Sequence, residues 1–124
     1  MSGADDRTEA RLRLRLLMGG AMLGPGKVEL LEHIRDSGSI SAAGRVMGMS
    51  YKRAWSLVEE MNLAFRAPLV GRARGGPGGG GAHLTEAGEA VVAAFRGLER
   101  AAAEAGAAQI AVLTGLFGDM SDGK

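Results

Sequence analysis

The segment "SGSISAAGRVMGMSYKRAWSLVEEMN", from Ser37 to Asn62, decides how this chain folds. Its apolar residues recur at helical intervals, but glycines stand at positions 44 and 48. A helix-turn-helix crosses two short helices at roughly 90–120° through a tight turn. Such a crossing needs a small residue where the backbones approach and a turn residue that accepts positive φ. Ala43 and Gly44 are predicted to supply the first and Gly48 the second.

The apolar residues of this segment are predicted to hold the two helices of the motif together. Ser39 and Ser50 are good N-caps, because a serine hydroxyl can accept an otherwise unpaired amide hydrogen at a helix start. The second of these helices is expected to run from about Tyr51 to Ala64. The positions expected to hold this packing are Met47, Met49, Ala54, Leu57, Val58 and Met61.

The outer side of that second helix is a candidate DNA-contacting surface. Its N-terminal end is the part that enters the major groove in this motif. Lys52 and Arg53 can donate to guanine edges or phosphates, and the neighbouring hydroxyls can bond either. Trp55 is also compatible with packing in the core or on a wing, and Arg53 with a solvated position. The predicted DNA-binding residues here are Ser50, Tyr51, Lys52, Arg53, Trp55 and Ser56.

Further patterns surround the segment on both sides. Residues 11–17, "RLRLRLL", alternate strictly and predict a strand with its leucines at 12, 14 and 16 facing inward. Residues 27–38 predict an amphipathic helix that ends at Gly38. The stretches "PLVGRAR" and "AHLT" predict two short strands around a long flexible glycine-rich tip. Thr85 then caps a long alanine-rich helix.

The order of these elements is strand, three helices, hairpin and long helix. It predicts a mainly α fold with a small β wing, a winged helix-turn-helix with a long C-terminal dimerisation helix. Residues 1–10 are expected to be a flexible N-terminus and residues 11–105 the winged domain. Residues 106–124 have no clear apolar period and are expected to be an irregular tail.

The glycine-rich loop "GRARGGPGGGGAH" is interpreted as the tip of a wing. Its glycines let the backbone lie close to a sugar-phosphate wall, where Arg72 and Arg74 would reach phosphates or a narrow minor groove. The alternative is a loop whose arginines are only solvated. A phosphate-binding P-loop is excluded, because that motif ends in Gly-Lys-Ser/Thr and leads into a helix.

The long helix carries an apolar stripe at the spacing i, i+4, i+7. The stripe is compatible with packing inside one subunit or against a symmetry mate. A protein that reads a palindrome needs a dimer whose recognition helices lie about 34 Å apart, which favours the second interpretation. The predicted dimerisation residues are Val91, Phe95 and Leu98.

Composition and charge limit the function classes. The chain has no cysteine and only two histidines, and no nucleophile–base pair or metal cluster is visible, so neither an enzyme nor a cofactor or metal site is expected. Residues 11–81 hold eleven Lys and Arg against five Asp and Glu, a net +6 that suits a polyanion or reflects chance. With no signal peptide or membrane-length apolar run, a cytoplasmic protein is expected.

Several of these motifs together resemble the N-terminal DNA-binding domain of the ModE family of molybdate-responsive bacterial regulators. The chain is more distantly similar to the LysR-type helix-turn-helix. The resemblance covers roughly residues 10–105 and implies a homodimer on a palindromic operator. It places Tyr51 and Lys52 on the recognition helix and Arg72 in the wing. The motifs are "SGSIS", "SYKRAW", "EEMN", "LVGRARGGPGGGGAHLT" and "LTEAG".

The sequence departs from that family in two respects. Gly71 stands where the family usually carries an acidic residue before the wing arginine. Full-length members also carry C-terminal molybdate-binding domains, and the roughly 20 residues after the long helix are too few for one. Molybdate binding is therefore not expected of this chain, which is interpreted as a natural single-domain relative or a fragment.

These features predict a sequence-specific DNA-binding transcriptional regulator, dimeric on a palindromic operator. The link to molybdenum-related genes is implied by the resemblance alone. The alternative hypothesis is a DNA-binding interaction module that is controlled by a separate effector-sensing partner protein. A stable homodimer that binds its operator unaided would argue against the need for such a partner.

Overall fold

The structure, a computed structural model, describes residues 9–72 and 81–118. These residues form two compact units, one from Leu14 to Arg96 and a second that combines residues 9–13 with residues 97–118. The winged helix-turn-helix fold predicted from the sequence is confirmed. The elements are β1 (Leu16–Met18), β2 (Ala21–Leu23), α1 (Pro25–Ser37), α2 (Ile40–Val46), α3 (Tyr51–Ala64), β3 (Val70–Arg72), β4 (Ala82–Leu84), α4 (Glu86–Ala105) and α5 (Ala107–Leu116).

Helices α1, α2 and α3 surround the core of the first unit. Its most completely buried large side chains come from α1, from the inner face of α3 and from Leu69 before β3. The four inward positions predicted on α3 are all buried, and Met47 and Met49 pack against the core from the turn before it. The buried residues of α3 are Ala54, Leu57, Val58 and Met61.

The crossing of α2 and α3 depends on two glycines. A Cβ atom on Gly44 would lie 2.9 Å from the Cβ atom of Ala54, so a larger residue there would push the helices apart. Gly48 has a φ of +72°, a left-handed conformation that suits glycine because it has no Cβ atom. Both roles predicted for these glycines are confirmed.

Both predicted serine caps of the motif are present. The Ser39 hydroxyl accepts the amide hydrogen of Ala42 at 3.0 Å, and the Ser50 hydroxyl accepts that of Arg53 at 3.1 Å. Gly38 ends α1 in the left-handed conformation, with a φ of 74°. Local sequence chemistry therefore fixes where each helix of the motif begins and ends.

Strands β3 and β4 form the wing. They pair antiparallel, with Val70 opposite Leu84 and Arg72 opposite Ala82. The base of the wing is tied to its surroundings, because the Ala82 amide donates to the Gly38 carbonyl at 2.9 Å. The Thr85 hydroxyl donates to the Pro68 carbonyl at 2.6 Å and accepts the Gly88 amide hydrogen at 3.0 Å, which confirms Thr85 as the cap of α4.

The predicted strand over residues 11–17 is wrong in its extent. Strand β1 covers only Leu16–Met18 and pairs with β2, which the sequence reading missed. Gly19 and Gly20 have φ values of 53° and 88°, so they form a tight two-residue hairpin turn that pairs Met18 with Ala21. This turn fixes the pairing register, and Leu12 and Leu16 are exposed in the structure instead of facing inward.

The expectation of an irregular tail after residue 105 is also wrong for Ala107–Leu116, which forms α5. This stretch has no charged residue, and its two polar residues, Gln109 and Thr114, do not share one face, so it has no period for a sequence pattern to detect. Alanine and leucine favour helix regardless of such a period. None of the residues of α5 is buried within the chain.

Helix α4 corrects the predicted dimerisation stripe. Phe95 is only 2% exposed and lies in the core of its own chain, so its side chain offers no surface to a second subunit. Val91 is half-buried against the same core. Leu98 is 39% exposed and is the one member of the predicted stripe that faces solvent.

A two-point ion pair joins α1 to α4. The Arg96 guanidinium donates to both carboxylate oxygens of Glu32, from Nη2 at 2.7 Å and from Nε at 3.0 Å. These hydrogen bonds lower the pKa of Glu32, and the Arg96 charge adds to the effect while burial opposes it. The pair is about one-quarter exposed, so it is less screened than a fully solvated pair.

The Glu32→Gln variant is expected to unfold more easily at neutral pH, by about 1 kcal/mol, because glutamine cannot accept the same charged contacts. A lowered folded-state pKa stabilises the protein above the pKa of unfolded glutamate, and this stability is lost as pH falls through the folded value. Urea unfolding of the wild type and the variant at pH 7 and at about pH 3 measures this. The difference between their unfolding free energies is expected to be smaller at the lower pH. A difference in unfolding free energy of the same size at both pH values would contradict a lowered pKa of Glu32 in the folded protein.

Candidate nucleic-acid interface

The N-terminal turns of α3 present polar and cationic side chains to solvent. Tyr51 is 51% exposed, and Lys52, Arg53 and Ser56 are exposed as well. The first turn of α3 has no acidic residue, so its own charge is purely positive and adds to the partial positive charge of the helix start. Ser50 lies at the same end, with its hydroxyl occupied as the helix cap.

Trp55 and Arg72 bring α3 and the wing together. The Arg72 guanidinium carbon lies 5.9 Å from the centre of the Trp55 ring, which is within reach of a cation–π interaction. Trp55 is 37% exposed, so it is neither a core residue nor a freely solvated one. Of the interpretations left open by the sequence, the structure places Trp55 against the wing.

A small notch of about 120 Å³ lies between the start of α2, the start of α3 and the wing. The polar residues that line it are Ser39, Ser41, Tyr51 and Arg72. One guanidinium beside three hydroxyls matches the groups that proteins use to hold phosphate oxygens. The notch thus joins the two predicted DNA-contacting regions, the α3 start and the wing, into one surface.

Two residues at this surface were not singled out from the sequence. Arg45 is exposed at the end of α2, and its guanidinium donates to the Ser41 hydroxyl at 3.2 Å. Their spacing of four residues on one helix was the available signal, because such pairs share a helix face. Arg45 adds a further cation to this surface, and its hydrogen-bond partner Ser41 also lines the notch.

Negative charge near α3 is partly neutralised. The carboxylate of Glu60, on the third turn of α3, accepts a hydrogen bond from Lys27 Nζ at 2.8 Å. The same Lys27 ammonium donates to the Met22 carbonyl at 2.7 Å, which ties the β1–β2 hairpin to α1. Glu60 is therefore engaged with Lys27, well along the helix from its exposed N-terminal start.

The wing explains one departure from the ModE pattern. A Cβ atom at Gly71 would lie 2.8 Å from His83 Nε2, because the imidazole of the paired strand covers that position. Any side chain at residue 71 would therefore have to displace His83. Arg74, the second arginine predicted to contact DNA, lies outside the residues that the structure describes.

An exposed cationic helix start in a tight helix crossing, with an arginine-bearing wing beside it, defines a winged helix-turn-helix of the DNA-binding class. Comparison with known families agrees with this class. The family of bacterial regulatory helix-turn-helix proteins of the lysR type matches residues 26–89, a little over half of the chain. The chain belongs to this family.

Similar proteins confirm the resemblance to ModE. The molybdenum-pterin-binding protein MopB of Rhodobacter capsulatus is 47% identical over 102 residues, which is 82% of this chain and 37% of MopB. The DNA-binding transcriptional dual regulator ModE of Escherichia coli K12 is 48% identical over 68 residues, 55% of this chain and 26% of that protein. The chain therefore spans only about a quarter to a third of the length of such relatives.

The molybdenum transport protein ModE of Azotobacter vinelandii is 44% identical over 80 residues, or 64% of this chain and 30% of that protein. Among the residues that the structure describes, no helix combines the length and the apolar character that a bilayer span requires.

Proposed function

We propose that this chain is a sequence-specific transcriptional regulator that inserts the start of α3, its recognition helix, into the DNA major groove. The observation that carries the proposal is the exposed, acid-free start of α3, where Tyr51, Lys52 and Arg53 lie beside the Arg72 notch. In this geometry the helix side chains reach base edges. The notch and the wing then bind backbone phosphates.

The residues at this surface fall into two groups, those proposed to contact base edges and those proposed to contact backbone phosphates. Lys52 and Arg53 are long enough to donate to guanine O6 and N7, and Ser56 lies one turn further along the same helix. Tyr51 and Arg72 both line the notch, so their role is to bind a phosphate and fix the register of the helix on the duplex. Trp55 supports Arg72 from below, and Arg74 adds a wing contact by its place in the sequence.

The proposed functional unit is a homodimer on a palindromic operator. Leu98 and the apolar side chains of α5 are exposed within the second unit, and residues 105–118 carry no charge. An uncharged helix with exposed apolar side chains and no polar face is usually covered by another surface. A second copy of the chain satisfies this requirement and supplies the second recognition helix that a palindrome needs.

Selection from a pool of random duplexes tests this function. The expected result is enrichment of one inverted repeat, with half-site centres about one helical turn apart. Sedimentation of the complex should show two chains on each duplex. Recovery of an unenriched pool, or of single half-sites bound by one chain, would contradict a dimeric sequence-specific reader.

The proposed target genes are related to molybdenum, because the relatives include a molybdenum-pterin-binding protein and a molybdenum transport protein. Genome-wide mapping of bound sites tests this link. Sites that cluster upstream of genes for metal transport or molybdoenzymes would support it, and a set of unrelated genes would remove it.

The hypothesis of a separate effector-sensing partner rests on the sequence alone. Co-purification of the chain with a second, metal-binding protein would support it. Full operator binding and gene control by the chain alone would remove the need for such a partner.

A further inference from the structure

We propose that Asn62 is a positioning residue, which holds the wing along the recognition helix and thereby sets where Arg72 meets DNA. The inference rests on the proposed DNA-binding function, but it concerns a side chain that does not itself reach the duplex. Asn62 is half-buried in the last turns of α3, at the end opposite to the groove-facing start. Its action on DNA would therefore pass through the wing.

The Asn62 amide makes three hydrogen bonds to the backbone at the start of β3. Its Oδ1 accepts the amide hydrogens of Leu69 at 2.8 Å and of Val70 at 3.1 Å. Its Nδ2 donates to the Val70 carbonyl at 3.1 Å. Leu69 and Val70 are buried, so these backbone groups have little access to water as an alternative partner.

This arrangement makes Asn62 a substitute for a third strand. The Thr85 amide donates to the Leu69 carbonyl, which flanks the Val70–Leu84 pair in the antiparallel ladder. In such a pair the amide and carbonyl of Val70 point away from β4, toward the open edge of the wing. Asn62 satisfies both groups at once, as the backbone of a neighbouring strand would.

A second contact lies seven residues earlier on the same helix. Residues 55 and 62 share one face of α3, because seven residues are close to two helical turns. Trp55 lies under the Arg72 guanidinium. Asn62 binds Val70, which precedes Arg72 by two residues in β3. Strand β3 is thus fixed to the recognition helix at two points, and Asn62 supplies the hydrogen-bonded one.

The attachment of β3 to α3 by Asn62 can be tested without DNA, because Trp55 is the single tryptophan of the chain and reports on Arg72. The fluorescence emission of the Asn62→Ala variant is expected to shift toward that of the Arg72→Ala variant, since both changes remove Arg72 from the ring. Asn62→Asp keeps the two acceptor contacts, loses the donor, and should shift the emission less. If Asn62→Ala does not fold, Asn62→Asp decides alone.

Glu32→Gln is the matched control, because it weakens a contact of the same unit that does not involve the wing. It should leave the emission unchanged under conditions where circular dichroism shows every variant folded. Emission identical to wild type in the Asn62 variants would overturn the proposal, whatever their affinity for DNA.

The second measurement is a double-mutant cycle on the selected operator. Asn62→Ala should weaken binding by about tenfold when Arg72 is present, the size expected for loss of one charged DNA contact. The log–log salt slope should fall by about 0.9, for the one phosphate contact that Arg72 loses. In the Arg72→Ala background, the same change should have little further effect.

An equal loss of affinity in both backgrounds would show that Asn62 acts only through stability, and would overturn the positioning role. Failure of the wild-type chain to bind any duplex would instead defeat the proposed DNA-binding function. The fluorescence result would still decide whether Asn62 fixes the wing, so the two failures are distinguishable.

Discussion

Replacing Gly88 by alanine should be among the most destabilising single changes in this protein, with an expected loss of about 3 kcal/mol. A Cβ atom at this position would lie 2.2 Å from the carbonyl oxygen of Leu69, a backbone atom that cannot rotate away. That oxygen accepts the Thr85 amide hydrogen at 2.9 Å, and the Leu69 amide is held by Asn62. Relief of the clash therefore disturbs the base of the wing as well as the start of α4.

Gly97 provides a control within the same helix. The nearest atom to a Cβ there is Arg100 Nη2 at 3.9 Å, so an alanine fits without strain. Because glycine inside a helix is less favourable than alanine, Gly97→Ala should stabilise the protein by about 0.5–1 kcal/mol. Thermal unfolding measures both changes, and the Gly88→Ala midpoint should fall by about 10 °C. Midpoints that change in the same direction would contradict the close approach at Gly88.

Removal of the cations at positions 52, 53 and 72 should abolish most DNA affinity at low salt. On a duplex that lacks the operator, Lys52 and Arg53 have no matched guanine and join Arg72 in neutralising phosphates, so the triple alanine variant should lose about 2.7 from the log–log salt slope. Between 50 and 200 mM salt, the wild type should then lose about 40-fold more affinity than the variant, since the salt concentration rises fourfold. Fluorescence anisotropy with one duplex across this range measures both slopes.

The control is a second triple variant with the same change in net charge. Arg15, Arg35 and Arg66 are exposed in the same unit and belong to none of the elements that form the proposed surface, and their replacement by alanine also removes three charges. This variant should keep a slope close to that of the wild type, because long-range charge is screened beyond about 10 Å at these salt concentrations. Equal slopes for the two triple variants would show that net charge, and not the α3–wing surface, drives binding.

The helix-turn-helix itself follows from local sequence chemistry. Gly44 and Gly48 sit four residues apart where the crossing and turn require them, and Ser39 and Ser50 cap the two helices. Each of these roles depends on a residue and its near neighbours in the chain. Such features are readable from a sequence, which is why the bounds of α3 match those expected.

The elements that the sequence predicted wrongly depend on contacts between residues distant in the sequence, or lie in stretches whose apolar residues have no period. Phe95 belongs to an apolar stripe, but the stripe does not say whether it faces the core of its own chain or a partner. Helix α5 has no charged residue and no polar face, so no periodic signal marks it. In the sequence, Gly19 and Gly20 suggest only an interruption of secondary structure. Two adjacent glycines with positive φ also form a hairpin turn, as they do here.

The candidate site shows the same division. Helical periodicity predicts the exposure of Lys52 and Ser56, which fall opposite the buried positions 54, 58 and 61. Tyr51 lies seven residues before Val58 on the same face, and it is exposed because it stands at the helix end. Two contacts join α3 to β3 across the segment that connects them. They are the contact of Trp55 with Arg72 and the hydrogen bonds of Asn62 to the start of β3. Only the folded chain brings these together, so the coupling of helix and wing was not predictable.

The ratio of affinities for the selected operator and for a scrambled duplex of the same composition tests the central claim most directly. Measured by competition at about 150 mM salt, a sequence-specific regulator should bind its operator at least about a thousandfold more tightly. Since phosphate contacts are the same on both duplexes, this ratio isolates the reading of bases by α3. Equal affinities for the two duplexes would contradict sequence-specific recognition.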